Sequence, residues 1–291
     1  MTRFLSITLS GLSGGMIYAA VALSLVLIWR ATRVVNFAQG AMAMFTTYIA
    51  VSILDRGGSY WVAFVVALLA GLLLGAFVER VLVRPVENGP PLNAVVVTLG
   101  VFIFLQALAG IIWGGRFRSF ETPFSIRNYD YGSVSGLSPF DIFTVVAVTV
   151  VAVLLGVLFR FFDVGLRMRA AAFEGEVARM LGVRVGRMLT LGWALAAVAG
   201  SLAGIIVAPS VFLHPNNMDA VFVFGFTAAV IGGLDSPVGA VVGGLGLGVV
   251  LAYVSGYAGG DLVALAALAV LILVLMVRPS GLFSSTASRR V

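Results

Sequence analysis

The sequence predicts an all-α polytopic membrane protein of about 8–9 transmembrane helices, N-terminus outside and C-terminus cytoplasmic, with one amphipathic cytoplasmic helix. Three observations carry this. Of 291 residues, 61% are hydrophobic and 10% charged, where soluble domains run near roughly 45–50% and about 25%. The mean hydropathy is +1.12. The few charges are bunched, leaving nine charge-free tracts: 4–29, 34–54, 57–78, 88–115, 142–159, 188–213, 220–234, 236–260 and 262–277. An ionised side chain at a helix centre costs about 2.5–3.5 kcal/mol on insertion scales, so such tracts mark candidate spans. This much apolar surface excludes a water-soluble enzyme, and disorder would require low hydrophobicity. Membrane strands would alternate apolar and polar residues, whereas these tracts are apolar on every face, which selects helices.

The first tract, 4–29, runs 26 residues. That is longer than the roughly 7–15 residues of a cleavable signal core, so it reads as a retained span. Tract 34–54 carries intramembrane polar candidates: Asn36, Gln39, Thr46 and Thr47. After tract 57–78, tract 88–115 carries Asn93, Thr98 and Gln106. Residues 114–141, rich in aromatics, Gly and Pro, read as an ordered outer loop. Beyond tract 142–159 lies a long inner connection, 160–187. In it Ala170, Phe173, Val177 and Met180 recur at spacings of 3, 4 and 3, one apolar stripe on a helix 170–181. Glu176 and Arg179 sit on the opposite side, and Gly182 ends the helix. The pattern alone fits two readings, a helix resting at the lipid headgroups or a docking knob for a cytoplasmic partner.

Three tracts remain after 188–213, which holds Thr190. Tract 220–234, with Thr227, has 15 residues, about 22 Å of helix. Residues 231–248 set small residues around one charged turn, predicting a tight inner-face hairpin packed at Gly232, Gly233, Gly239, Gly243 and Gly244. Tract 262–277 has 16 residues, which Arg278 extends by snorkelling. Further Gly pairs four apart, Gly11/Gly15, Gly71/Gly75, Gly200/Gly204 and Gly244/Gly248, read as helix-packing positions.

Orientation follows from the cations, all 18 of which are Arg. With nine spans and the N-terminus outside, 13 Arg face inward: Arg30, Arg33, Arg80, Arg84, Arg160, Arg167, Arg169, Arg179, Arg184, Arg187, Arg278, Arg289 and Arg290. Five stay outside: Arg3, Arg56, Arg116, Arg118 and Arg127. The 12 acidic residues split six and six, giving +7 inside and −1 outside. If tract 220–234 only dips in and returns, the Arg split falls to 10 against 8, so nine spans fit the positive-inside rule better.

Catalysis finds no foothold. There is no Cys for a thiolate, cluster or zinc ligand, and no Lys for a phosphate-binding G-x-x-x-x-G-K-[ST] loop. H-E-x-x-H is absent, and Ser, His and Asp do not meet at one depth. No cofactor and no metal are expected. No tract centre holds Asp, Glu or His, which argues against a proton-coupled carrier. The only His, His214, reads as a hydrogen-bonded loop residue at an outer end. Thr98 and Gln106 fit an interhelical hydrogen bond as well as they fit a substrate contact.

Four segments then resemble one family. They are Val34-Val35-Asn36-Phe37-Ala38-Gln39-Gly40; Glu79-Arg80 to Arg84-Pro85 with Thr98-Leu99-Gly100 and Trp113-Gly114; residues 169–182 with Ala196 to Gly204; and Gly232-Gly233 to Gly243-Gly244 with Arg278-Pro279-Ser280-Gly281-Leu282-Phe283. In this order they resemble permease subunits of bacterial ABC importers for branched-chain amino acids, in the shorter of the two permease types. The resemblance implies one permease domain over 1–291 in the bacterial inner membrane, with a second permease, two cytoplasmic ATPase subunits and an extracytoplasmic binding protein as partners. Nucleic acid is not among them. It implies that 170–181 is a coupling helix, with Arg169, Ala170, Phe173 and Glu174 toward an ATPase and Gly182 as its turn. It also makes Asn36, Gln39, Thr98 and Gln106 the candidates for the substrate path. Two positions depart from the family pattern. Gln39 stands where many members carry His, and Asp235 where Gly is common. Asp235 is expected to pair with an inner-face Arg that the sequence does not identify. The alternative reading is a stand-alone secondary carrier or channel for a small solute.

Overall fold

The computed structural model describes residues 2–87, 89–131 and 134–283. Arg289 and Arg290 of the inner-face tally lie outside the described residues, as do Asn88 of the fourth tract and Gly132 and Ser133 of the outer loop. The chain is helical almost throughout: α1 (Thr2–Thr32), α2 (Gln39–Leu54), α3 (Tyr60–Phe77), α4 (Pro91–Trp113), α5 (Pro139–Phe161), α6 (Asp163–Phe173), α7 (Gly175–Met180), α8 (Val185–Val211), α9 (Asp219–Gly232), α10 (Pro237–Tyr257) and α11 (Val263–Val277). A two-residue antiparallel ladder, β1 (Asp130–Tyr131) with β2 (Val134–Ser135), folds the outer loop on itself.

Each charge-free tract holds one helix, but the helices differ in length. Among the described residues seven are long and apolar enough to cross a membrane: α1, α3 with its continuation to Val86, α4, α5, α8, α10, and α11 with its lead-in turn from Gly260. The other two, α2 and α9, have only 16 and 14 residues. Helix α2 starts late because Asn36 bends the chain. Its Oδ1 accepts the Ala38 N–H at 3.0 Å, a local bond that competes with helix. The tract at 262–277 is lengthened by the 3-10 turn Gly260–Leu262 to 18 residues.

Helix ends follow local chemistry. Ser138 and Asp141 form a reciprocal capping box at the head of α5, with Pro139 in the first turn. Ser236 caps α10 through the Gly239 N–H at 2.9 Å, again followed by Pro. Helix α3 widens into a π-turn over Val78–Val83 before a 3-10 turn at Arg84–Val86. Such widened turns mark functional positions more often than ordinary helix does.

Two helices sit at the centre. The spanning windows of α1 and α8 are 72% and 83% buried within the chain, whereas that of α11 is 6% buried and lies at the rim. Glycine sets the close contacts. Gly11 and Gly15 of α1 face Gly248 and Gly244 of α10, where an added Cβ at Gly15 would stand 2.8 Å from the Gly244 carbonyl oxygen. Gly71 and Gly75 of α3 meet Ser201, Ala197 and Trp193 of α8, and Gly200 and Gly204 of α8 meet Gln39, Ala43 and Thr47 of α2. The expected hairpin is present as α9–α10. A Cβ on Gly232 would run into the Gly239 carbonyl, one on Gly239 into the Gly232 carbonyl, and one on Gly243 into that of Ala228. Gly244 turns away from the hairpin toward the Ala19 backbone of α1. Gly233 makes the turn at φ 91°. These are backbone-to-backbone approaches that no larger residue permits.

Candidate functional site

Polar contacts sort into two sets at opposite ends of the bundle. One set joins Arg33 to Asp235 at 2.6 Å, Arg84 to Glu79 at 2.8 Å and Arg179 to Glu87 at 3.7 Å. All six residues belong to the arginine-rich face of the tally. The other set holds Arg118–Asp55 at 3.0 Å, the Arg3 bond to the Gly256 carbonyl at 2.6 Å and the Ser13–Asp141 contact. Helix α9 runs between the sets: Asp219 in its first turn accepts from Gln106, while Asp235 just past its end meets Arg33. Asp235 therefore pairs with Arg33, 202 positions earlier and held at φ 57° as α1 ends.

A buried polar cluster organises the arginine-rich end. Glu79 is 1% exposed, on the π-turn of α3. Arg84 donates to its Oε1 from Nε at 3.0 Å and from Nη2 at 2.9 Å. Thr190 of α8 donates to its Oε2 at 2.7 Å. Arg84 also donates to the Gly186 carbonyl at 2.6 Å. Burying a carboxylate is costly unless it is paired and hydrogen-bonded, and this cluster supplies both while locking α3 to α8. In the sequence Glu79 and Arg84 share one segment and Thr190 stands apart; the wider turn that brings the three together leaves no period-3.6 signal.

The expected continuous helix over 170–181 is two helices. Helix α6 ends at Phe173, Glu174 breaks the path at φ −140° and ψ 79°, and Gly175 opens α7. Packing explains the break, because the buried positions are Gly165, Met168, Ala171 and Ala178. An added Cβ at Gly165 would strike the Leu158 carbonyl. The stripe points the other way. Phe173 is 75%, Met180 85% and Leu181 78% exposed, with Val177 exposed beside them. Gly182 is the expected turn, at φ 82°. The Gly182 and Val183 N–H groups donate to the Arg179 and Ala178 carbonyls at 3.0 and 2.9 Å, a Schellman closure. Arg169 is tied to the Phe159 carbonyl at 2.8 Å, Ala170 is half-buried and Glu174 is exposed. Arg179 reaches Glu87, so the segment also touches the α3–α4 connection.

The four path candidates do not converge on one cavity among the described residues. Asn36 and Gln39 are 0% and 1% exposed. Asn36 Nδ2 donates to Gln39 Oε1 at 2.9 Å, and Gln39 Nε2 donates to the Ala196 carbonyl of α8 at 2.8 Å. Thr98 donates to the Val95 carbonyl of its own helix at 2.9 Å. Gln106 makes an interhelical bond, Nε2 to Asp219 Oδ1 at 2.7 Å. His214 is a loop residue as expected: Nδ1 accepts the Asn216 N–H at 3.3 Å, and the ring meets Phe117 edge-on. One residue escaped sequence reading. Asn217 is 5% exposed, yet neither its Nδ2 nor its Oδ1 has a partner. In the pair Asn216-Asn217 nothing in the sequence says which one is buried.

Comparison with known proteins adds three findings. The family model described as branched-chain amino acid transport system / permease component matches residues 7–277. The chain is 30% identical to the high-affinity branched-chain amino acid transport system permease protein LivH of Salmonella typhimurium, over 99% of this chain and 98% of that protein. It is 29% identical to BraD of Pseudomonas aeruginosa, a permease protein of the same description, with the same coverage. Among solved structures, a metal-chelate type ABC transporter in an inward-facing conformation superposes with a TM-score of 0.52 at 16% identity, over 92% of this chain and 84% of that one.

Proposed function

The chain belongs to the branched-chain amino acid transport permease family, and from that premise we propose that it carries branched-chain or closely related amino acids through the membrane. It is a membrane-embedded permease subunit of an ABC transporter. It works in the bacterial inner membrane as one permease domain, beside a second permease and two cytoplasmic ATPase subunits that hold the nucleotide sites. An extracytoplasmic binding protein delivers the amino acid to the face bearing the 114–141 loop. The arginine-rich end faces the cytoplasm, in keeping with the positive-inside rule. A stand-alone carrier is not favoured: full-length relatives are transport-system permeases.

The observation that carries the reading is the exposed apolar face of α6–α7 at the arginine-rich end. Phe173, Val177, Met180 and Leu181 are all exposed there, while Gly165, Met168, Ala171 and Ala178 fasten the segment to the bundle. A contiguous apolar patch ringed by charge marks a docking surface. ATP-driven closure of the ATPases would press on this segment. The Arg179–Glu87 pair and the Glu79–Arg84–Thr190 cluster connect it to α3, α4 and α8, so the push reaches the helices that enclose the path. The test is co-purification of the ATPase subunits with Glu174→Arg and Phe173→Ala variants. Loss of association with normal membrane insertion supports coupling, and unchanged association makes α6–α7 a helix resting on lipid.

A further inference from the structure

The end of the bundle opposite the arginine-rich one holds a cavity of about 500 Å³ between α1, the end of α8 and the start of α9. Its apolar wall is Ile17, Val207 and Phe224, and its polar side is Tyr18, Asn217 and Asp219. Ser210 and Asn216, both exposed, stand at its rim, so it opens to the surface. Two features mark it as built for a ligand. Asn217 is buried with both amide atoms unpartnered, a cost that packing alone does not repay. Asp219 has two amides on its carboxylate, Gln106 Nε2 at 2.7 Å and Asn216 Nδ2 at 3.1 Å. It has no cation within ion-pair distance among the described residues.

We propose that this cavity is an entry site for a zwitterionic α-amino acid with an aliphatic side chain. The proposal rests on the transport reading above and supplies the residues it lacks. The free carboxylate direction of Asp219 takes the ligand's ammonium group. The Asn217 amide gives an N–H to the ligand's carboxylate and its Oδ1 to the ammonium. His214 also borders the cavity. Its Nδ1 accepts the Asn216 N–H at 3.3 Å, which holds the ring in place on the cavity wall. The aliphatic side chain lies on Ile17, Val207 and Phe224. Burying a zwitterion is favourable only when both charges meet partners, and a cavity of this size with few polar groups on an apolar wall fits a small ligand.

The chain has no Cys, so Ser210→Cys provides its single thiol at the cavity rim. In the assembled importer in proteoliposomes, the rate of methanethiosulfonate modification is followed on this chain after electrophoretic separation from its partners. L-leucine added from the binding-protein side is expected to slow modification. Isocaproate, lacking the ammonium, and isoamylamine, lacking the carboxylate, are expected not to. Asn217→Ala and Asp219→Asn should weaken protection roughly tenfold each, the size of one lost hydrogen bond to a charged group. Asn217→Ala should keep or raise thermal stability, since it removes only unpartnered polar atoms, which separates a ligand role from a structural one. Importer that transports leucine while leucine leaves the thiol rate unchanged, or while isoamylamine protects equally, overturns the entry site and leaves the transport reading standing. Importer that takes up no amino acid overturns the transport reading itself.

Discussion

Arg84 grips the buried carboxylate of Glu79 through both Nε and Nη2, across the π-turn that continues α3. Removing the cation strands the carboxylate. Arg84→Ala should therefore destabilise by about 3–5 kcal/mol, as expected for a broken buried pair. Thr190→Val should cost about 1–3 kcal/mol, one hydrogen bond to a buried acceptor. Glu79→Gln combined with Arg84→Gln should recover part of the loss. Denaturant titration of the purified chain in detergent, read by helix content, ranks these variants.

Glycine positions divide by what stands opposite them. In α10 a Cβ on Gly239 meets the Gly232 carbonyl, while Gly246 faces open space. Gly239→Ala should prevent the α9–α10 hairpin from closing, costing at least the roughly 1–3 kcal/mol of overpacking. Gly246→Ala should be neutral or gain up to about 1 kcal/mol from helix propensity. Monodisperse yield and thermal midpoint of the two variants distinguish them directly.

Gln39 separates a structural role from a substrate contact. Both ends of its amide are used inside the chain, by Asn36 and by the Ala196 carbonyl. Gln39→Leu should lower stability by about 1–3 kcal/mol and leave the KM for the transported amino acid near the parent value. A raised KM at unchanged stability would instead move Gln39 into the substrate path.

The proposed coupling role of α6–α7 predicts a dependence on its turn as well as on its exposed face. Gly182 adopts φ 82°, where an L side chain costs roughly 1–2 kcal/mol. Gly182→Ala should loosen the end of α7 and reduce ATPase co-purification, though less than Phe173→Ala, which removes an exposed anchor. Pull-down at matched membrane expression measures both.

The fold was legible because a bilayer makes charge so costly that 30 ionised residues outline the helices of a 291-residue chain. Glycine pairs were legible for a similar reason: Gly11/Gly15 and Gly244/Gly248 announce a close approach, and they meet one another. What stayed hidden depends on contacts between distant residues. That Asp235 belongs to Arg33, or that Glu79 turns inward to Thr190, is fixed only by how α1, α3 and α8 pack. The break at Glu174 was missed because residues 170–180 keep helical spacing across it, and burial of Gly165 and Ala178, not periodicity, decides the path. Asn217 was missed because burial of a loop residue has no one-dimensional mark.

The most direct measurement is amino-acid uptake into proteoliposomes containing this chain with the proposed second permease, two ATPases and binding protein, with ATP on the arginine-rich side. Uptake of leucine that requires ATP, and that falls with Glu174→Arg as ATPase association falls, is the predicted result. Uptake by this chain alone in the absence of ATP and of the other subunits would contradict it.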